Sequence, residues 1–162
     1  MRLPIFFVVA VLVGLLGLAP AALAVGGTAA PSASLRNSTP EERQMMRAEA
    51  LIRVQDFETA IVVLEDILRR EPRSADALNW LGFSHRKLGR FDEALAHYEK
   101  ALAIDPRHRG ANEYLGELYL QMGQPEKAEL RLAVLAEACG PGCEEYAELK
   151  DAIAAYRGSP ES

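Results

Sequence analysis

Small and bulky residues return in this chain at a fixed interval, and no other feature narrows its fold as much. Ala60, Ala94 and Ala128 lie 34 residues apart. So do Ala48, Gly82 and Gly116, and again Leu64, Tyr98 and Leu132. Pro72 and Pro106 keep the same step. Four independent columns with one period define a tandem array. They divide the chain without insertions into units 41–74, 75–108 and 109–142. Each unit holds two stretches of about 14 residues whose apolar positions fall three and four apart, which is helical spacing. Gln55-Asp56, Gly89-Arg90 and Gly123-Gln124 separate the two stretches. A helix of that length is marginal alone in water. The units must therefore stack on one another to be stable.

The columns have a packing logic. Position 8 of a unit (Ala48, Gly82, Gly116) and position 20 (Ala60, Ala94, Ala128) sit where its two helices cross. Only small side chains there permit a close approach. Position 24 supplies bulk toward the next unit, and proline at position 32 ends the second helix. Thr39, Pro40 and Glu42 fit a capping box at the first helix start. That is a better use of the segment than the Asn37-Ser38-Thr39 glycosylation pattern. In 143–157, Tyr146, Leu149, Ile153 and Tyr156 share one stripe. This predicts a seventh helix capping the third unit, with a tail at 158–162.

These residues resemble the tetratricopeptide repeat. The middle unit is nearest the family pattern, through Leu81, Gly82, Ala94, Tyr98, Ala101 and Pro106. The resemblance covers 41–142 and implies an all-α fold: a right-handed superhelical stack of three helix-turn-helix units, here with a C-terminal capping helix. Departures are local. Arg47 stands where Leu is usual and His85 where Tyr is usual. Leu78 fills the tryptophan slot, and Trp80 comes two residues later. Gly140 replaces the third terminating proline, with Pro141 one residue late, so the exit of that unit must differ.

Residues 1–24 have the pattern of a signal peptide: Arg2, an apolar run from Leu3 to Leu18, then Ala22-Leu23-Ala24 with small residues at −3 and −1. The run is short of the ~20 residues that span a bilayer, and an uncleaved N-terminal anchor is the competing reading. Residues 25–40, rich in Gly, Ala, Ser and Pro, read as a flexible linker. Together with the Cys-x-x-x-Cys tail, the chain looks like short exported repeat proteins of proteobacteria. The expectation is a periplasmic or secreted protein with no membrane span in its mature chain. A formal net charge of −5 argues against a nucleic-acid partner, because phosphate binding relies on clustered Lys and Arg.

The resemblance also implies a concave groove, lined by the first helix of each unit, that holds an extended peptide or a partner helix. Positions 2, 5, 6, 9, 12 and 13 face it. Position 6 gives Met46, Trp80 and Tyr114, and position 9 gives Phe83 between Glu49 and Glu117. Leu120 stands at position 12, with Arg53 and Lys87 at position 13. Aromatic residues and Met on a wet surface are interface anchors. The competing reading packs them between units or under residues 25–40. Family members that clamp a C-terminal carboxylate carry Lys and Asn at positions 5 and 9 of the first unit. Met45 and Glu49 occupy those places, so a mixed or hydrophobic ligand is expected, and Glu117 at the far end is expected to matter little.

Cys139 and Cys143 bracket Gly140-Pro141-Gly142. In an exported protein they should oxidise to a disulfide that clips the last helix to the third unit, stabilising by ~2 kcal/mol. Two functional alternatives use the same pair: Cu(I) held by two thiolates, or thiol–disulfide exchange. His85, His97 and His108 have no metal-site spacing, and no nucleophile elbow, phosphate loop or dinucleotide fingerprint occurs. The chain therefore reads as a non-enzymatic, cofactor-free adaptor for protein or peptide partners, with self-association as a further route.

Overall fold

The computed structural model describes residues 38–158. They form seven α-helices and, among the described residues, no strand. These are α1 (Pro40–Arg53), α2 (Phe57–Arg70), α3 (Ala75–Lys87), α4 (Phe91–Ile104), α5 (Arg109–Gln121), α6 (Pro125–Ala138) and α7 (Glu144–Arg157). Helices α1/α2, α3/α4 and α5/α6 pair within the units that the period defines, and α7 follows as the seventh helix. The signal-peptide reading, the linker up to residue 37 and the tail from 159 lie outside the described residues.

Local chemistry sets the ends. The Thr39 hydroxyl accepts from the Glu42 amide, and the Glu42 carboxylate accepts from the Thr39 amide at 2.7 Å, completing the capping box with Pro40 in the first turn. Asp56 and Ser74 cap α2 and α3 in the same sense. Between the helices of each pair the chain turns through one left-handed residue: Gln55 (φ 62°), Gly89 (φ 73°) and Gly123 (φ 71°). Helices α2 and α4 stop two residues before Pro72 and Pro106. Helix α6 leaves differently, through left-handed Gly140 and a Cys139–Cys143 disulfide with Cα atoms 5.9 Å apart.

The period is a packing period. Ala48, Ala60, Ala94 and Ala128 are completely buried, as are Leu64 and Tyr98. The Tyr98 ring covers Gly82, where an added Cβ would come within 2.6 Å of it, and it also packs on Leu115 and Leu118 of the next unit. Leucine at position 7 joins the units. Leu81 enters the cluster around Ala60, Leu115 the one around Ala94, and Leu149 the one around Ala128. Burial of each contributes about 2 kcal/mol. Leu149 lies 34 residues after Leu115, so α7 occupies the place of a first helix in a further unit. Its methyl groups rest on Gly116, where a Cβ would come within 2.5 Å. Arg47 departs from the family pattern at this same position 7, and on α1 it is exposed.

Candidate functional site

The first helices α1, α3, α5 and α7 lie side by side and make one continuous face. At its centre three half-buried rings meet. Phe83 is 4.9 Å from Tyr114 and 5.6 Å from Trp80, and Trp80 is 6.1 Å from Tyr114, centroid to centroid. Spacings of this size favour aromatic contacts beyond simple area burial. Phe57 of α2 approaches Phe83 edge-on at 6.3 Å. Beneath the rings lies a buried cation. The Arg86 guanidinium stands 5.4 Å from the Phe83 centroid and 5.7 Å from that of Tyr114, and it pairs with Glu117 at 2.5 Å. The Lys87 ammonium sits 5.1 Å from the Phe83 ring on the exposed side.

Toward the amino ends of α3 and α5 the face opens into a polar cleft of about 490 Å³, lined by Glu49, Asp76, Asn79, Trp80, Glu113 and Tyr114 among others. His108 organises one wall. Its Nδ1 accepts from the Ala111 amide, so Nε2 carries the hydrogen and donates to Asp76 at 3.0 Å. That hydrogen bond holds the Asp76 carboxyl below its ordinary value. Glu113 is only 3% exposed. Burial, a hydrogen bond with Glu148 and the nearby charges of Glu148, Glu117 and Glu145 push its carboxyl up to about 9. It is a neutral acid at pH 7. Burial, with Glu113 adding, likewise raises the Tyr114 hydroxyl to about 12. Asn79 is 4% exposed, and its Oδ1 meets no hydrogen-bond partner.

The residues expected in the groove divide into two groups. Trp80, Phe83, Tyr114 and Lys87 come together. Met46 and Arg53 are exposed on α1 and take no part in the ring contacts. Leu120 is 8% exposed and packs with Ala128, Leu135, Leu149 and Ile153, because α7 covers it. Glu117 is no peripheral acid, since it neutralises a guanidinium that is 3% exposed. Position 12 as a whole (Ile52, Arg86, Leu120) is buried rather than open to the groove. Asn79 and Glu113, both at position 5, are the polar residues that sequence reasoning passed over.

The cysteine pair stands apart from this face. Its sulfurs are joined, and Glu145 completes a group of three donor residues within 4.8 Å. Bonded sulfurs offer no thiolate to a soft ion, so the copper reading gains no support, and a disulfide by itself adds nothing to the exchange reading. No helix among the described residues is long and apolar enough to cross a membrane.

Tandem antiparallel helix pairs joined by a constant step, with one face built from first helices, define a helical repeat solenoid. Two overlapping tetratricopeptide repeat family models match, over residues 45–108 and 85–153. The chain belongs to the tetratricopeptide repeat family, whose members are generally scaffolds. Similar solved structures include a tetratricopeptide repeat protein of Thermus thermophilus, TTC0263 (TM-score 0.65, 25% identity, covering 74% of this chain and 67% of that one). Another is the Yersinia enterocolitica type III secretion chaperone SycD in complex with a peptide of the translocator YopD (TM-score 0.61, 20% identity, covering 71% and 87%). Among curated proteins, mouse FK506-binding protein-like is 39% identical over 64 residues, 40% of this chain and 18% of its own length. This chain spans less than a fifth of the length of the first such relatives it matches.

Proposed function

We propose that the protein is an exported adaptor that holds an extended peptide, or a helix, of a partner protein against the face formed by α1, α3 and α5. One observation carries the reading. Trp80, Phe83 and Tyr114 form a contiguous aromatic surface that the fold leaves half-exposed on that face, and exposed clustered aromatics are what interfaces use as anchors. The rings are already oriented by their mutual contacts and by Arg86, so little ordering cost falls on binding. The SycD complex is a precedent for peptide capture on this architecture. Export to the periplasm or the outside rests on the residue pattern of 1–24, and an oxidised cysteine pair suits that compartment.

The test uses Trp80, the single tryptophan. Partner capture from the native compartment should fail with Trp80→Ala, a loss of about 2 kcal/mol or thirtyfold in affinity. Thermal melting of the variant should stay cooperative. Unchanged capture with a severe drop in melting temperature would make Trp80 a packing residue and end the reading. A mature chain beginning at Val25, read by mass, checks export; a chain retaining Met1 would refute cleavage.

A further inference from the structure

We propose that the polar cleft framed by Glu49, Asp76, Asn79, Trp80, Glu113 and Tyr114 receives a lysine or arginine side chain of the bound peptide, and that this basic residue sets the peptide's register. The inference rests on the peptide-binding reading above and names the chemistry of the partner.

The cleft is lined by carboxyl groups, one amide and two rings, with Arg107, His108 and Arg109 on its rim. Glu49 makes no ion pair with the described residues, although its counterpart one step short of the far end, Glu117, is fully engaged by Arg86. The basic residues on the rim are occupied. Arg109 reaches Glu145 at 3.4 Å, the Arg107 guanidinium donates to the Glu137 carbonyl, and His108 donates to Asp76. An anionic ligand would therefore meet the unpaired Glu49 carboxylate and, among the described residues of the rim, no free cation.

An independent observation points the same way. The Asn79 Oδ1 is buried and unpartnered in a residue that lines this cleft. A buried acceptor without a donor is costly, and a ligand N–H recovers that loss once Asn79 turns its Oδ1 toward the cleft. Lysine and arginine bring several donors and no acceptor. Trp80 and Tyr114 supply the ring faces that attract a cation. The protein already uses this combination elsewhere on the same surface. There Phe83, Tyr114 and Glu117 surround Arg86, which the chain itself supplies. The cleft has the same ingredients, two rings and glutamates, with the cation left to the ligand. Glu113, neutral at pH 7, spares the free cleft a second buried anion.

Selection of a random linear peptide library on the immobilised protein reads the side-chain preference without knowing the partner. The expected result is enrichment of Lys or Arg at one fixed place among apolar residues. A synthetic enriched peptide should lose about tenfold in affinity when that residue becomes norleucine. The same loss is expected against the double variant Glu49→Gln/Glu113→Gln. Glutamine keeps the size and mimics neutral Glu113, and circular dichroism of the variant confirms its fold. Peptides that bind but whose norleucine forms bind equally well overturn the inference and leave the groove reading standing. Failure to enrich any peptide, or enriched peptides that bind Trp80→Ala as well as wild type, overturns the groove reading and the inference together.

Discussion

Gln55 holds a backbone conformation that glycine holds in the next two units. Its φ of 62° matches the 73° and 71° of Gly89 and Gly123, at the same place in the period. An L-residue with a Cβ pays about 1 kcal/mol there that glycine does not. Gln55→Gly should therefore raise the unfolding free energy by about 0.5–1 kcal/mol, seen as a higher urea midpoint with an unchanged slope. A lower midpoint would mean that the Gln55 side chain makes up for its backbone. The glycine column was legible in the sequence, and so was the exception to it. Arg86 and Glu113 were not. Positions 12 and 5 read as facing the groove, whereas the burial of these two residues depends on other units: Tyr114 and Glu117 close over Arg86, and Glu148 of α7 comes opposite Glu113. No local spacing encodes such a meeting.

Among the helices, α3 and α4 meet through an unusual contact. The rings of His85 and His97 stack at 5.2 Å, and the Nδ1 atoms of both are buried without a partner. Burial lowers both below the ordinary 6.5. His97 falls to about 4, with His85 and Lys100 adding to the effect and Glu93 opposing it. For His85, Arg90 adds while Glu93 and Glu65 oppose. The unfolded chain takes up a proton near 6.5 that folded His97 refuses until about 4, so its effect on stability is absent above 6.5 and grows as pH falls. Glu113 titrates in the opposite sense, so a difference between proteins isolates the histidine. The melting temperature of wild type minus that of His97→Gln should fall steadily from pH 7 to pH 4.5. A constant difference would show that the pair does not sense protons. Helix ends were the most legible elements, since prolines, caps and turns mark them directly. The histidine stack was invisible, because positions 11 and 23 of one unit face each other only once its helices have paired.

At the scale of the molecule each unit supports its neighbour, and α7 is the last link. It depends on Gly116, whose missing side chain makes room for Leu149. Gly116→Ala should cost about 1–3 kcal/mol through overpacking. Amide exchange should quicken in α7 before it does in α1 and α2. Equal loosening at both ends would deny that α7 is seated this way. The apolar stripe of α7 was readable in advance; the step of 34 that carries Leu81 and Leu115 on to Leu149 stood in the sequence but emerged only once Leu149 was seen to be seated. That last step distinguishes a further first helix from an added lid.

The recurring leucine has a consequence for how such a chain can change length. Leu81, Leu115 and Leu149 are knobs in one register, each set into the cluster around the alanine of the preceding unit, Ala60, Ala94 or Ala128. A whole 34-residue insert or deletion ahead of α5 would leave the joint between the third unit and α7 unaltered. The reach of the protein can then lengthen or shorten in fixed increments while both of its ends stay as they are. Selection can act on the number of steps without redesigning any one of them.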